Sequence, residues 1–289
     1  MYGACMYTRK AFTVFTSRRR VFTKVFTKVF TEGSLFLAKS RKNPKKGAKM
    51  RNKNRRTNPF IGCLLLEITK MYAEVVKSWN PWVGCNHNCR YCDPSFKRQA
   101  KRQKHRCKLC YGFVPHFHPE RLKNQSFPKH GLIFVCDMGD IAFATKDQII
   151  LILDVIRNHP QSTFLLQSKN PSCFYGLNIP DNAIVGTTLE SNRFHPEITN
   201  APAPGNRAYW LTRIICKHKA VTIEPIMQFD HEAFVGMIRD IHPDWVWVGY
   251  NNYPDAVSLE EPSKERTLAL VESLKSFTEV KLKTIREKV

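Results

Sequence analysis

The chemistry of this chain is most legible in one short segment, Trp79-Asn-Pro-Trp-Val-Gly-Cys85-Asn-His-Asn-Cys89-Arg-Tyr-Cys92. Three thiolates on one loop, separated by three and two residues, can wrap one face of a cubane iron–sulfur cluster, each binding a different iron. Four protein ligands would close such a site, whereas three leave one iron open to an outside ligand. The alternative is structural zinc, which takes four ligands and more often pairs two Cys-x-x-Cys knuckles. A second pair, Cys107-Lys-Leu-Cys110, follows the basic run Lys97–Lys108 and precedes His116 and His118. It suits a second metal, either zinc with one or both histidines or another iron–sulfur cluster. A redox dithiol and an unliganded pair stay open. Of the ten cysteines, the isolated Cys136, Cys173 and Cys216 read as small buried hydrophobes.

The cysteine spacing, with aromatic Tyr91 directly before the last cysteine, is similar to the signature of the radical S-adenosylmethionine (SAM) superfamily. That resemblance implies a 4Fe–4S cluster on Cys85, Cys89 and Cys92 whose open iron chelates SAM. It implies reductive cleavage of SAM to a 5′-deoxyadenosyl radical, hydrogen abstraction from a substrate, and an electron donor such as flavodoxin or ferredoxin. Tyr91 would lie near the adenine. A narrower likeness, from about Lys77 to Asn251, resembles a phage-encoded family of radical-SAM-like proteins of unknown function. It rests on Trp79-Asn-Pro-Trp82, Phe117-His-Pro-Glu-Arg-Leu122, Phe134-Val-Cys-Asp-Met-Gly-Asp140, Leu166-Gln-Ser-Lys-Asn-Pro171, Val185-Gly-Thr-Thr-Leu-Glu190, Ile223-Glu-Pro225 and Trp247-Val-Gly249. In it, Met138-Gly139-Asp140 stands where radical SAM proteins carry a Gly-Gly-Glu-type turn that meets the SAM amino group.

The elements that must position these groups alternate along the chain. Apolar stretches of strand length recur at 73–78, 131–136, 162–167, 183–188, 219–224 and 244–249. Helical spacing appears between them: Ile149, Ile150, Leu153 and Ile156 within Lys146–Asn158, and Phe234, Val235 and Ile238 within His231–Ile241. The closing stretch 260–287 reads as helix, with Pro262 suited to its start. Repeated βα units argue for an α/β fold, a partial (βα)6 TIM-like barrel of radical SAM type. Functional groups of such barrels gather at the C-terminal ends of the strands. Gly139 and Asp140 fall there, with Tyr91 and Asn251 as cofactor-binding candidates. Glu190, Glu224 and Lys169 are the catalytic candidates, weighed against barrel-end ion pairs and a solvated lysine.

Composition bounds the rest. The 289 residues carry a net charge of +22, but residues 1–70 hold 18 Lys/Arg against two acids. Residues 1–70 therefore read as a basic, low-complexity extension in which Val-Phe-Thr recurs, either a disordered arm or upstream sequence with Met71 as the true start. Residues 71–289 form the barrel, with a Cys/His-containing basic insertion at 97–118. The basic run is either a solvated helix face or a contact for a nucleic-acid backbone. Clustered thiols place the chain in a reducing compartment, the cytoplasm. No apolar run approaches the ~20 residues of a membrane span. Three readings follow: an enzyme whose substrate is unidentified, with nucleic acid or nucleotide as one option, a non-catalytic zinc-binding nucleic-acid module, or an inactive barrel that keeps the cluster in a binding role.

Overall fold

The computed structural model describes residues 72–286; the extension expected over 1–70 lies outside the described residues. Seven parallel strands form one sheet: β1 (Val75–Trp79), β4 (Leu132–Val135), β5 (Thr163–Gln167), β6 (Ala183–Thr188), β7 (His218–Ile223), β8 (Trp245–Val248) and β9 (Glu279–Leu282), in that spatial order. Six match the expected segments. The seventh is a difference: the closing stretch is helical only over α6 (Lys264–Lys275), after which the chain returns as β9 to pair with β8.

Alternation along each strand divides the apolar residues between two faces. Ile133, Val135, Phe164, Leu166, Val246 and Val248 join the larger core with the helices, while Phe134, Leu165 and Trp247 form a second, inner cluster. The helices are α3 (Lys146–Arg157), α4 (Pro204–Arg213), α5 (His231–Ile241) and α6. α3 begins with a reciprocal cap, Thr145 accepting from Gln148 N while the Gln148 side chain accepts from Thr145 N. It buries Ile149, Ile152, Leu153 and Ile156, leaving Ile150 exposed, one position off the expected stripe.

The sheet is open, with β1 and β9 as its edges, yet the edges approach one another. Lys281 Nζ of β9 lies 3.0 Å from Glu74 Oε1, just ahead of β1. Tyr72 packs its ring against Phe134 of β4 and Trp247 of β8, with centroids 5.4 and 4.6 Å away. A flat sheet could not bring its first and last strands to the same side chains. The strands therefore curl into a partial barrel with Tyr72 inside.

The crossover from β1 to β4 carries five of the eight cysteines among the described residues. β2 (Trp82–Val83) and β3 (His116–Phe117) pair antiparallel, and between them lie the short helices α1 (Arg98–Ala100) and α2 (Lys108–Gly112). No helix among the described residues is long and apolar enough to cross a membrane.

Candidate functional site

A cavity of about 400 Å³ opens at the C-terminal ends of the strands. Cys85, Cys89, Cys92, Tyr91, Gly139, Asp140, Lys169, Glu224 and Asn251 all line it. Glu190 does not; it lies buried behind the wall.

The cysteine loop is held by backbone on both sides. Gly84 has φ +91°, and a Cβ there would stand 2.3 Å from the Val114 carbonyl. Gly84 N donates to Met138 O at 2.9 Å, and Asp140 N donates to Gly84 O at 3.1 Å. A Cβ on Gly139 would fall 2.6 Å from Gly84 O. The two glycines thus allow the start of the cysteine loop to lie directly on the loop after β4, a closeness that side chains would prevent. Further along, Arg90 N donates to Ile198 O (3.0 Å) and Asn200 N to His87 O (2.7 Å).

None of the three thiols is in a disulfide. Cys89 Sγ lies 3.1 Å from Thr199 Oγ1, and His87 N donates to Cys85 Sγ at 3.4 Å. The neighbouring Cys92 thiol, opposed by burial and aided by Lys169, lowers the Cys89 pKa below the usual thiol value. Burial, then the charge of Asp140, pushes Cys85 up to about 12. Among the described residues, two sets bring three or more metal-ligating atoms within 4.8 Å of one another: Cys107/Cys110/His116/His118 and Cys85/His87/Asp140. In the cysteine trio, Cys89 and Cys92 have their thiols in contact, while Cys85 belongs to the second of these sets. In the Cys85/His87/Asp140 set, protein donors already engage the carboxylate. Asp140 Oδ1 accepts from Ala142 N (2.9 Å) and Ser168 Oγ (2.5 Å), while Oδ2 accepts from Lys169 N (2.8 Å) and faces His87 Nε2 at 3.2 Å. Asp140 thus has three protein donors, and the buried His87 Nε2 beside it has no hydrogen-bond partner among the described residues.

Asp140 therefore organises the loops after β4 and β5. Three residues earlier, Asp137 also lines the cavity. Ser78 Oγ and Asn80 Nδ2 donate to it at 2.6 and 2.5 Å, and burial raises its pKa above the usual aspartate value.

Glu190 is the centre of a buried ion cluster. Its Oε1 accepts from Lys169 Nζ at 2.5 Å and from Tyr91 Oη; its Oε2 accepts from Arg207 Nη1 at 2.7 Å. Burial alone would raise its pKa, but Arg207 and Lys169 hold it well below the carboxylate range. The two catalytic candidates Lys169 and Glu190 are thus partners of each other, and Lys169 Nζ also sits 5.2 Å over the Tyr91 ring. Arg207, 1% exposed, was not singled out from the sequence; only its position opposite Glu190 explains a buried guanidinium.

Glu224 differs. Its Oε1 accepts from Lys283 Nζ (2.6 Å) and Asn252 Nδ2 (2.7 Å), while its buried Oε2 has no partner. Burial raises its pKa against the pull of Lys283. Asn251 lines the cavity, but its side-chain amide holds its own loop, donating to Val257 O (2.7 Å) and accepting from Tyr253 N (3.1 Å). Asn252, also not foreseen, is the residue that reaches Glu224.

The second cysteine pair lies away from the cavity, where the fold gathers Cys107, Cys110, His116 and His118 into one cluster. Between the two sites, Arg98, Lys101, Arg102, Lys104, Arg106 and Lys108 are exposed, and the cavity wall includes their neighbours Phe96, Lys97 and Gln99.

No curated protein matches the chain. Among solved structures it is similar to spore photoproduct lyase. A double mutant of that protein with bound AdoMet and dinucleoside spore photoproduct is 10% identical, over 70% of this chain and 75% of that one, with a TM-score of 0.48. A tyrosine-to-phenylalanine mutant is also 10% identical, over 69% and 74%, again with a TM-score of 0.48. A family model described as "Protein of unknown function (DUF5131)" matches residues 71–261, the cysteine loop and six of the seven strands, and the chain belongs to that family.

Proposed function

We propose that the chain is a radical SAM enzyme: Cys85, Cys89 and Cys92 hold a 4Fe–4S cluster, and SAM occupies the adjoining cavity. One observation carries this reading. The three cysteines of one short loop share a wall of a cavity at the strand C-terminal ends. Such a cluster, reduced by a donor such as flavodoxin or ferredoxin, supplies SAM cleavage to a 5′-deoxyadenosyl radical and hydrogen abstraction from a substrate.

The chain's own groups have separate tasks in this reading. Gly84 and Gly139 keep the cysteine loop close to the loop after β4. Lys169, anchored by Glu190, puts a positive charge beside the Cys89 thiolate. Tyr91, fixed by the same glutamate, offers a ring edge for the adenine. Asp137 and the unpartnered Glu224 Oε2 are acceptors for the amino and hydroxyl donors of a bound nucleoside or amino acid. Asn251 shapes the loop that carries Asn252 to Glu224. The exposed basic face beginning at Arg98 favours a polyanionic substrate, a nucleic acid or nucleotide. A non-catalytic zinc module would have no use for a 400 Å³ cavity lined by three cysteines and three carboxylates.

The test is anaerobic purification of the full chain, reconstitution with iron and sulfide, and addition of SAM and dithionite. Expected are about four irons per chain and production of 5′-deoxyadenosine, both lost together in Cys89→Ala. Zinc retained by the trio, or a cluster that leaves SAM intact with and without nucleic acid, would overturn the proposal.

A further inference from the structure

Cys107, Cys110, His116 and His118 occupy no part of the cavity, and the proposed chemistry does not use them. Their geometry is nonetheless specific. His116 Nε2 lies 3.5 Å from Cys107 Sγ and 3.4 Å from Cys110 Sγ, and His118 Nε2 lies 3.2 Å from Cys110 Sγ. Tetrahedral zinc with Zn–S of about 2.3 Å and Zn–N of about 2.0–2.1 Å places its sulfur and nitrogen ligands about 3.6 Å apart.

Proton accounting points the same way. His116 Nδ1 lies 2.7 Å from Val114 O, which can only accept, so that nitrogen carries the hydrogen. His118 Nδ1 lies 2.7 Å from Glu120 Oε1, which at neutral pH also only accepts. Both Nε2 atoms therefore turn bare lone pairs toward the thiols. Cys110, 2% exposed, faces two of them and has one hydrogen to give. The two thiol hydrogens can serve these lone pairs one by one, Cys107 to His116 and Cys110 to His118, whereas a divalent cation on two thiolates draws in all four groups at once, including the second close approach of Cys110 to His116. The carbonyl and carboxylate behind the imidazoles are the supports that metal-bound histidines commonly have.

The local folding builds this set from two elements. Cys107 precedes α2 and accepts from Cys110 N at 3.4 Å, the turn of a Cys-x-x-Cys knuckle. His116 and His118 stand two apart at β3, so the strand alternation turns both to one side. We propose that these four residues form a tetrahedral structural zinc site, separate from the cysteine trio. Its task is mechanical. β3 pairs with β2, with Val83 opposite His116, and His118 N donates to Pro81 O at 2.7 Å. β2 runs through Gly84 directly into Cys85. The zinc thus ties the basic insertion to the strand from which the cysteine loop departs. This proposal stands whether or not the trio holds an iron cluster.

The test is metal analysis of the full chain together with cobalt substitution. About one zinc per chain is expected, retained in Cys89→Ala and lost in Cys110→Ser. Cobalt in its place should give the intense visible bands of a tetrahedral thiolate site. If Cys110→Ser does not fold, His116→Cys decides the matter: it should keep the zinc and strengthen the thiolate-to-cobalt charge-transfer band. Zinc that disappears with Cys89→Ala but survives Cys110→Ser would overturn the proposal. So would an iron chromophore that depends on Cys107 and Cys110, or a well-folded wild-type chain that takes up neither zinc nor cobalt.

Discussion

Glu190 and Glu224 are both buried acids near strand ends, and their surroundings make them titrate in opposite senses. Glu190 is paired with Arg207 and Lys169, so its folded pKa is depressed. Its ionised form contributes stability above the ordinary value of about 4.5, and that contribution is lost as pH falls toward the depressed value. Glu190→Gln strands Arg207 in the interior and should cost about 3–5 kcal/mol at neutral pH. Melting curves of wild type and variant should converge below about pH 4.5; a constant gap from pH 3 to 7 would refute the ion-cluster account. Glu224 has a raised folded pKa, so wild-type stability declines as pH rises from about 4.5 through the folded value. Glu224→Gln should therefore gain relative stability over that interval while losing SAM cleavage. A variant whose relative stability falls as pH rises would show that Lys283 outweighs burial.

At the scale of elements, the site depends on backbone packing between the cysteine loop and its neighbours. Gly84→Ala places a methyl group within 2.3 Å of the Val114 backbone at a positive φ, and nothing flexible is there to move aside. We expect a loss of at least about 2 kcal/mol and poor iron incorporation, read by thermal unfolding and iron content. Gly139→Ala, against Gly84 N and O, should act similarly. Gly205→Ala, with nothing within 4 Å of the added methyl, is the control that should leave both unchanged. Such closeness is not written in residue spacing, and other features hide for comparable reasons. α4 buries Pro204, Arg207, Ala208 and Leu211, a regular helical stripe. Its second member is an arginine whose partner, Glu190, lies on a distant segment, so the apolar pattern looks broken. β9 is a half-exposed edge with little alternation, recognisable only by its pairing with β8. The other six strands of the sheet and α5, whose burial is continuous or periodic, were legible. So was the cysteine loop, because its ligands are close in sequence. Asp140 was singled out and Asp137 was not, although both line the cavity after the turn at Cys136, φ +58°.

For the whole molecule, charge separates two questions that the total of +22 merges. Residues 1–70 carry 18 Lys/Arg against two acids, so they hold most of the net charge. Sequence-independent attraction to nucleic acid should therefore follow that segment, while productive engagement at the cavity should follow the exposed face of Arg102, Lys104 and Arg106. Each phosphate contact contributes about 0.9 to the dependence of log affinity on log salt for duplex DNA, so the two regions can be read apart. Alanine at Arg102, Lys104 and Arg106 together should lower the slope for binding to the chain beginning at Met71 by about 2–3. That binding should be titrated across a salt series with one defined duplex. Removal of residues 1–70 should take away most of the full chain's remaining slope. If the shortened chain keeps the full slope and the triple variant changes nothing, the charge on this molecule serves solubility, and the substrate is to be sought among small molecules that fit 400 Å³.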